Sequence, residues 1–442
     1  MRKERIILAI VLAAGMLFSC GKENPNFQDF RPGGEGSTNT RADNERTVSP
    51  ETRWVHILYS AGFNDLYADL YEDIQDFAQG EIPGNTRNGD VLLVISRLTK
   101  DLTRDYNTPN PPVLIRLTRE EGQETRMDTL KVWEANKAAA SASFMREALE
   151  YVKDNFPAAG YGMVFSSHAS GWLPSRYYSD PEQFDRSENE SAMWSMGKRV
   201  FSAMPPIPEY DYPAVKSVGQ DRGNPYSEIE IQDLPGAFPM HMNYLVFDAC
   251  LMGCIEVAYE LRNVCDMIAF SQTEVLSDGF DYTSMTSRLL EHNIQGICSD
   301  YFEFYNARTG QARSATISLV NCKALDNLAD VCATLFAKYR DGLNAVVPGA
   351  VQGYFRYGRH YFYDLLDILL HSGINAEEAA TLKNAIDASL LYKAATPRFI
   401  DFDIYMYSGY SMFLPAACPR ADYLNNYYRT NISWNTRTGL LP

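Results

Sequence analysis

The order of segments predicts an α/β protein: a mainly parallel sheet with helices on both faces, followed by a helical C-terminal extension. Three observations carry this. Segment 90–96 is a continuous apolar run of the kind buried on both faces of a sheet. Segments 64–77 and 138–155 space their apolar residues as helices do (Leu66, Leu70, Ile74 and Phe77; Phe144, Leu149 and Val152). Strand-like and helix-like segments alternate from residue 54 to 270, and that alternation favours parallel strands joined by crossover helices.

In order, 54–60 reads as the first strand and 64–77 as the first helix. A turn at 82–85 leads to the strand 90–96. Segment 113–117 is a further strand, and 129–132 a short edge piece. The helix 138–155 precedes the strand 162–166. Residues 172–221 carry Pro, Tyr, Asp, Glu and Arg with little periodicity. So long an excursion in a compact domain is usually functional or mobile. The strand 244–247, the helix 255–262 and the strand 267–270 follow. From about residue 293 the pattern is mostly helical (325–338, 363–371, 376–392), with a strand-like 404–406 near the end. The expected organisation is a leader over 1–19, a tether over 20–50, an α/β core over 51–292, and a helical region over 293–442 packed on it.

The leader and tether follow from composition. Residues 1–5 are basic, 6–18 are apolar, and Leu17-Phe18-Ser19-Cys20 is a small-residue cleavage site ending in cysteine. The apolar run is shorter than the ~20 residues a membrane-spanning helix needs, and fits the core of a signal peptide. Cysteine at the cleavage point resembles a bacterial lipobox. Cys20 is then the expected lipidation site, which tethers the chain to a bacterial envelope membrane. Residues 21–50 nearly lack aliphatic side chains and cannot offset their ordering entropy by burial.

The formal net charge of −16 argues against a nucleic-acid partner, which needs a basic surface. Beyond Cys20 there are seven cysteines, an odd number, at positions 250, 254, 265, 298, 322, 332 and 418. No C-x-x-C occurs and the six histidines are scattered, so no metal site is expected from spacing. Cys254, Cys265, Cys298 and Cys332 sit in helix-like apolar contexts, where free cysteine acts as a small hydrophobe.

Two islands carry the chemistry. In Phe165-Ser-Ser-His-Ala-Ser-Gly-Trp172 an apolar strand ends in His168. In Leu245-Val-Phe-Asp-Ala-Cys-Leu-Met-Gly253 another ends in Cys250. In a parallel sheet both fall on the rim where ligands bind. A thiol attacks as thiolate, an imidazole takes or returns the proton, and an oxyanion needs backbone N–H donors. The turns 169–171 and 251–253 can supply those donors, with Ala169 and Cys250 the candidate amides. A serine hydrolase is disfavoured because no G-x-S-x-G elbow exists.

The stretch 155–172 resembles the histidine block of the clostripain family of cysteine peptidases. Phe247-Asp-Ala-Cys-Leu-Met-Gly253, with Glu256-Val-Ala-Tyr-Glu-Leu261, resembles its nucleophile block. Tyr59-Ser-Ala-Gly-Phe-Asn-Asp-Leu66, Ser217-Val-Gly-Gln-Asp221 and Gly409-Tyr-Ser-Met-Phe-Leu-Pro415 extend the resemblance over nearly the whole body. The resemblance implies a caspase-like fold and an endopeptidase that cleaves after Arg or Lys. Cys250 would be the nucleophile and His168 the general acid/base. Asp248 would hold the basic substrate side chain, with Asp278 a second candidate for that role. Relatives are commonly activated by cleavage between the two blocks, where Arg176, Arg186, Lys198, Arg199 and Lys216 are available. Some relatives respond to calcium; no D-x-D-x-D-G loop occurs here, so a calcium site would have to be assembled from distant carboxylates. Two departures stand out: Ala169 where the family has glycine, and Phe280 where tryptophan is usual. Ala169 is the sequence support for an alternative, a weak or inactive pseudo-peptidase used as a surface binding protein.

Overall fold

The computed structural model describes residues 52–84, 89–99, 108, 110–178, 184, 218–224, 226–356, 360–419 and 421–442. The leader, Cys20, the tether, and Arg186, Lys198, Arg199 and Lys216 lie outside the described residues. No helix among the described residues is long and apolar enough to cross a membrane.

In chain order the first twelve strands are β1 (Trp54–Gly62), β2 (Val91–Leu98), β3 (Val113–Thr118), β4 (Arg126–Val132), β5 (Gly160–Ser166), β6 (Val218–Asp221), β7 (Ser227–Ile229), β8 (Met242–Asp248), β9 (Cys265–Phe270), β10 (Thr316–Asn321), β11 (Tyr363–Asp364) and β12 (Leu390–Ala395). Nine of them form one sheet in the order β12-β10-β9-β8-β5-β1-β2-β3-β4. The five central strands, β9 to β2 in that order, pair in parallel. Antiparallel pairs close both sides. All residues of β2 and β5 are buried, as strands sandwiched between two helical layers must be.

Period-two alternation decides which layer each side chain meets. Val55, Ile57, Tyr59 and Ala61 of β1 join the cluster that holds α2 (Ala142–Asn155) and the helices Ile255–Leu261 and Leu325–Lys338. Leu58 joins the other cluster, with α1 (Tyr67–Gln79) and the helices Tyr282–Leu290 and Ile294–Asn306. α2 starts where Ser141 accepts a hydrogen bond from the amide of Phe144, which satisfies one of the free donors of the first turn.

Two expectations change. The boundary at 292 does not divide the sheet, because β10 and β12 continue it from the C-terminal region. Thr316–Asn321 is a short apolar run flanked by helices, and its length alone does not separate strand from helix. The strand expected at 404–406 is irregular; the edge strand is Leu390–Ala395, which the helical spacing of 376–392 had concealed. Helix Ala376–Ser389 ends where the Ser389 hydroxyl turns back to the Ile386 carbonyl.

Candidate active site

β5 and β8 are parallel neighbours in register, with Ser166 opposite Asp248. His168 and Cys250 each stand two residues beyond that pair. β1 lies on the other side of β5, with Ser60 opposite Ser166, and its following loop carries Asn64 and Asp65. Three strand ends thus deliver an imidazole, a thiol and a carboxylate to one rim. His168, Cys250 and Asp248 line a common cavity of about 150 Å³ with Leu66, Asp69, Asp73 and Gly279. That is smaller than the roughly 300–1,000 Å³ of a drug-sized pocket, and suits one substrate side chain.

His168 is held from both ends. Its carbonyl accepts the amide of Gly219 at 2.9 Å. Gly219 has φ +74°, where a side chain would strain the backbone and crowd Ala140 and Phe165. The ring Nε2 lies 2.9 Å from Asp65 Oδ1, which also lies 3.0 Å from Arg222 Nη2. Burial alone would raise the Asp65 pKa. The hydrogen bond and charge of His168, with the Arg222 guanidinium, instead hold it well below the usual carboxylate range. An ionised carboxylate only accepts, so Nε2 carries a hydrogen, and in the neutral ring Nδ1 is the nitrogen able to take a proton. Asn64 fixes this loop by donating to the carbonyls of Ala61 and Gln220, each at 2.9 Å.

Cys250 is presented on a strained turn. Leu251, the next residue, has φ +61°, which non-glycine residues adopt at an energetic cost and which recurs at functional sites. The amides of Leu251 and Gly253 are taken by the carbonyls of Thr273 and Ser271. Those of Ala169 and Cys250 donate to no other group among the described residues. Ala169 is fully buried and outside the left-handed region, so its side chain does not strain the turn. The residue that needs that region is Gly171 (φ +61°), where a Cβ would stand 2.7 Å from the Leu251 carbonyl oxygen.

The thiol is capped. The amide of Val275 points at Cys250 Sγ from 3.4 Å, and the Val275 carbonyl lies 3.8 Å from the same sulfur. Burial, with the charge of Glu274, pushes the Cys250 pKa up to about 12; the Val275 amide and Arg356 oppose this only in part. The capping loop is itself pinned. Arg356 grips Glu274 with two nitrogens, Nε to Oε2 at 2.6 Å and Nη2 to Oε1 at 3.2 Å. Bidentate pairs of this kind fix geometry as well as charge.

Asp248 forms the acidic wall of the cavity. Its Oδ2 accepts from Tyr282 Oη at 2.5 Å and Ser166 Oγ at 3.3 Å. Gly279 (φ +55°) passes so close that a Cβ would stand 2.8 Å from that oxygen. Asp278 does not line the cavity, which corrects its expected place. The turn at Gly279 sends it outward, where it is half-exposed and paired with Arg308. A carboxylate the sequence reading missed stands closer: Asp73 on α1, with Asp69 one turn before it. Burial and the neighbouring charge of Asp248 raise the Asp73 pKa, and burial raises that of Asp248. Asp65 was missed as well, although it lies within the string 59–66. The signal available was an acidic residue just past a strand end on the same rim.

The stretch 409–415 braces this rim. Trp172, fully buried, packs edge-on against Phe413 and Tyr428 with ring centroids 4.9 and 4.8 Å away. Ser411 donates its amide to the Gly253 carbonyl at 2.9 Å. Phe280 fills its site by packing on Tyr301, with centroids 4.4 Å apart.

Comparison with known proteins agrees with this architecture. A model of the clostripain family matches residues 182–438, more than half of the chain. The crystal structure of an inactive zymogen C11 protease from Parabacteroides distasonis is 26% identical, covers 88% of this chain and 99% of its own, and superposes with a TM-score of 0.67. A secreted C11 cysteine protease from Bacteroides thetaiotaomicron shares the fold at 20% identity, with the same coverage and a TM-score of 0.67. A structure of a secreted C11 cysteine protease from that organism, in complex with an irreversible peptide inhibitor, gives 21% identity, 88% and 98% coverage, and 0.66. No curated protein matches the chain. The nine-stranded, parallel-centred sheet is thus the caspase-like fold of these proteases, and the chain belongs to the clostripain family of cysteine proteases.

Proposed function

We propose that the chain is an exported, lipid-anchored cysteine endopeptidase that cleaves after Arg or Lys, held here in a latent state. One observation carries the reading: imidazole 168, thiol 250 and carboxylate 248 line a single side-chain-sized cavity at the C-terminal rim of the sheet. The Cys250 proton passes to Nδ1 of His168, and the thiolate attacks the substrate carbonyl. The amides of Ala169 and Cys250 stabilise the oxyanion. The imidazolium returns the proton to the leaving amine, and water, activated by the same ring, hydrolyses the thioester. Asp248 takes the substrate guanidinium or ammonium, because a desolvated carboxylate forms short charge-assisted bonds to such groups.

Latency follows from the capped sulfur and its raised pKa. Cleavage within 172–221 is the activating step expected for the chain; Arg176, exposed and with φ +64°, is the candidate among the described residues. Cys20 would carry the lipid and place the enzyme in the bacterial cell envelope, facing peptides and exported proteins rather than nucleic acid. No catalytic step is routed through calcium.

The test uses the full chain before and after limited nicking, with fluorogenic Arg, Lys and neutral peptides. Turnover of the basic peptides alone, absent in Cys250→Ala, supports the reading. An Arg- or Lys-directed electrophile should label Cys250. Labelling at Cys254 or Cys265 instead overturns the assignment of the nucleophile, and no turnover after nicking overturns the reading in favour of a binding protein. Lipid incorporation lost in Cys20→Ala tests the anchor.

A further inference from the structure

The opposite edge of the sheet holds a second polar cluster that the peptidase chemistry does not use. His56 lies near the start of β1, Asp90 immediately precedes β2, and His292 sits in the turn between helices Tyr282–Leu290 and Ile294–Asn306. These are the N-terminal ends of the parallel strands, away from the rim that carries His168 and Cys250.

The geometry points to a site for one divalent transition-metal ion, with zinc the physiological candidate, bound by His56 Nε2, His292 Nε2 and Asp90 Oδ2. The three donor atoms lie within 4.8 Å of one another. His292 Nε2 is 3.2 Å from Asp90 Oδ2, and His56 Nε2 is 3.9 Å from the same oxygen. A tetrahedral ion with ligands at 2.0–2.2 Å keeps its donors about 3.3–3.6 Å apart, so small side-chain shifts close the set.

The independent observation is an orphaned atom. His56 is fully buried, its Nδ1 meets the Tyr244 hydroxyl at 2.7 Å, and its Nε2 has no hydrogen-bond partner. At 3.9 Å the Asp90 oxygen is beyond hydrogen-bonding reach. In the tautomer that donates Nδ1–H to Tyr244, the Nε2 lone pair faces the space between Asp90 and His292. That is how metal-binding imidazoles are oriented, by a partner on the other nitrogen.

The remaining ligands are also held. Asp90 Oδ1 accepts the Trp54 amide at 2.8 Å, while Oδ2 faces the two imidazoles and meets His292 Nε2, the place an ion would take. His292 takes an unusual left-handed backbone, φ +55°, and its ring stacks on Trp54 with centroids 3.9 Å apart. Two imidazoles and one carboxylate suit zinc, cobalt or copper, whereas calcium and magnesium prefer all-oxygen sets. The side of His292, which is 35% exposed, leaves room for water as fourth ligand. Such an ion would join β1 and β2 to the helical layer. The six histidines that look scattered in the sequence include two that the fold brings together.

The test uses the full chain with Cys250→Ala, so the catalytic thiol cannot compete for metal. After chelator dialysis, Co²⁺ should bind one per chain with tetrahedral visible absorption that Zn²⁺ displaces. Zn²⁺ at a hundredfold excess over Kd should raise Tm by about 4 °C. Ca²⁺ and Mg²⁺ should do neither. In His292→Gln the absorption and the Tm rise should vanish; if that variant folds poorly, Asp90→Asn, which keeps an acceptor for Trp54, gives the same reading. No stoichiometric Co²⁺ binding in the parent, or unchanged binding in these variants, overturns the site. Neither outcome bears on the peptidase reading.

Discussion

Nε2 of His168 donates to Asp65 Oδ1 across 2.9 Å, joining the loops after β5 and β1. A base oriented by a third group is the general pattern of nucleophilic catalysis, and this pair supplies it. Asp65→Asn should lower kcat by roughly 10- to 100-fold with little change in KM, the usual cost of losing an orienting partner. The Asp65 pKa is depressed in the folded state, so its stabilisation is present above the unfolded value of about 3.9 and is lost as pH falls through the folded value. Urea melts of wild type and Asp65→Asn should therefore differ at pH 7 and converge toward pH 2. A kcat within twofold of wild type would remove Asp65 from the catalytic unit.

The Glu274–Arg356 grip predicts how the cap on Cys250 can be loosened. With a pKa near 12, Cys250 at pH 7.5 holds roughly three orders of magnitude less thiolate than a free cysteine of pKa about 8.5. Alkylation by iodoacetamide in the intact chain should be correspondingly slow and climb about tenfold per pH unit. Arg356→Ala should loosen residues 274–275 and speed alkylation of Cys250 at least tenfold, and Glu274→Gln should act in the same direction. Fast labelling of the intact wild type at neutral pH would show that the sulfur is not capped.

The rim was legible in the sequence because it depends on local facts: an apolar strand that stops, a small-residue turn, one reactive side chain at 168 and one at 250. Asp248 shares that legibility, being two residues from the nucleophile. Asp65 and Asp73 were harder. Acidic residues are common on exposed loops and helices, and only the β1–β5 register and the packing of α1 bring these two to the cavity. Asp278 misled because its outward turn is set by the close pass of Gly279 behind Asp248. The cap on Cys250 was invisible, since it is made by the backbone of Val275 and held by an arginine more than eighty residues away. β10 and β12 escaped notice because short strands beside long helices carry no distinct period.

Substrate selection should divide unequally between the two cavity acids. Asp248 is buried and already oriented by Tyr282 and Ser166. Asp248→Asn should cut kcat/KM for an Arg peptide by roughly 10²–10³, the cost of leaving a buried cation without its partner. Asp73, half-buried and without a hydrogen-bond partner among the described residues, should cost only a few-fold as Asn. Both carboxyls are raised above their ordinary range, so ionisation, and with it binding of a basic side chain, grows as pH rises through an elevated limb. The kcat/KM profile of an Arg peptide should show that limb and a neutral peptide should not. Equal profiles would mean the cavity does not read charge.

The same sign governs a stability prediction at Glu256, on the helix after the nucleophile loop. The side chain is 1% exposed; its Oε1 accepts the Phe413 amide and the Tyr428 hydroxyl, each at 2.8 Å, and its Oε2 has no partner. Burial pushes its pKa up to about 7, against the pull of those donors. The folded state therefore keeps a proton that the unfolded chain gives up near pH 4.3. Stability is complete below that value and declines as pH rises through about 7, by on the order of 3 kcal/mol. Glu256→Gln cannot ionise, so the difference between its urea stability and that of wild type should shift in its favour from pH 5 to pH 8. Parallel curves over that range would show that Glu256 is ionised in the fold and that its second oxygen has found a donor.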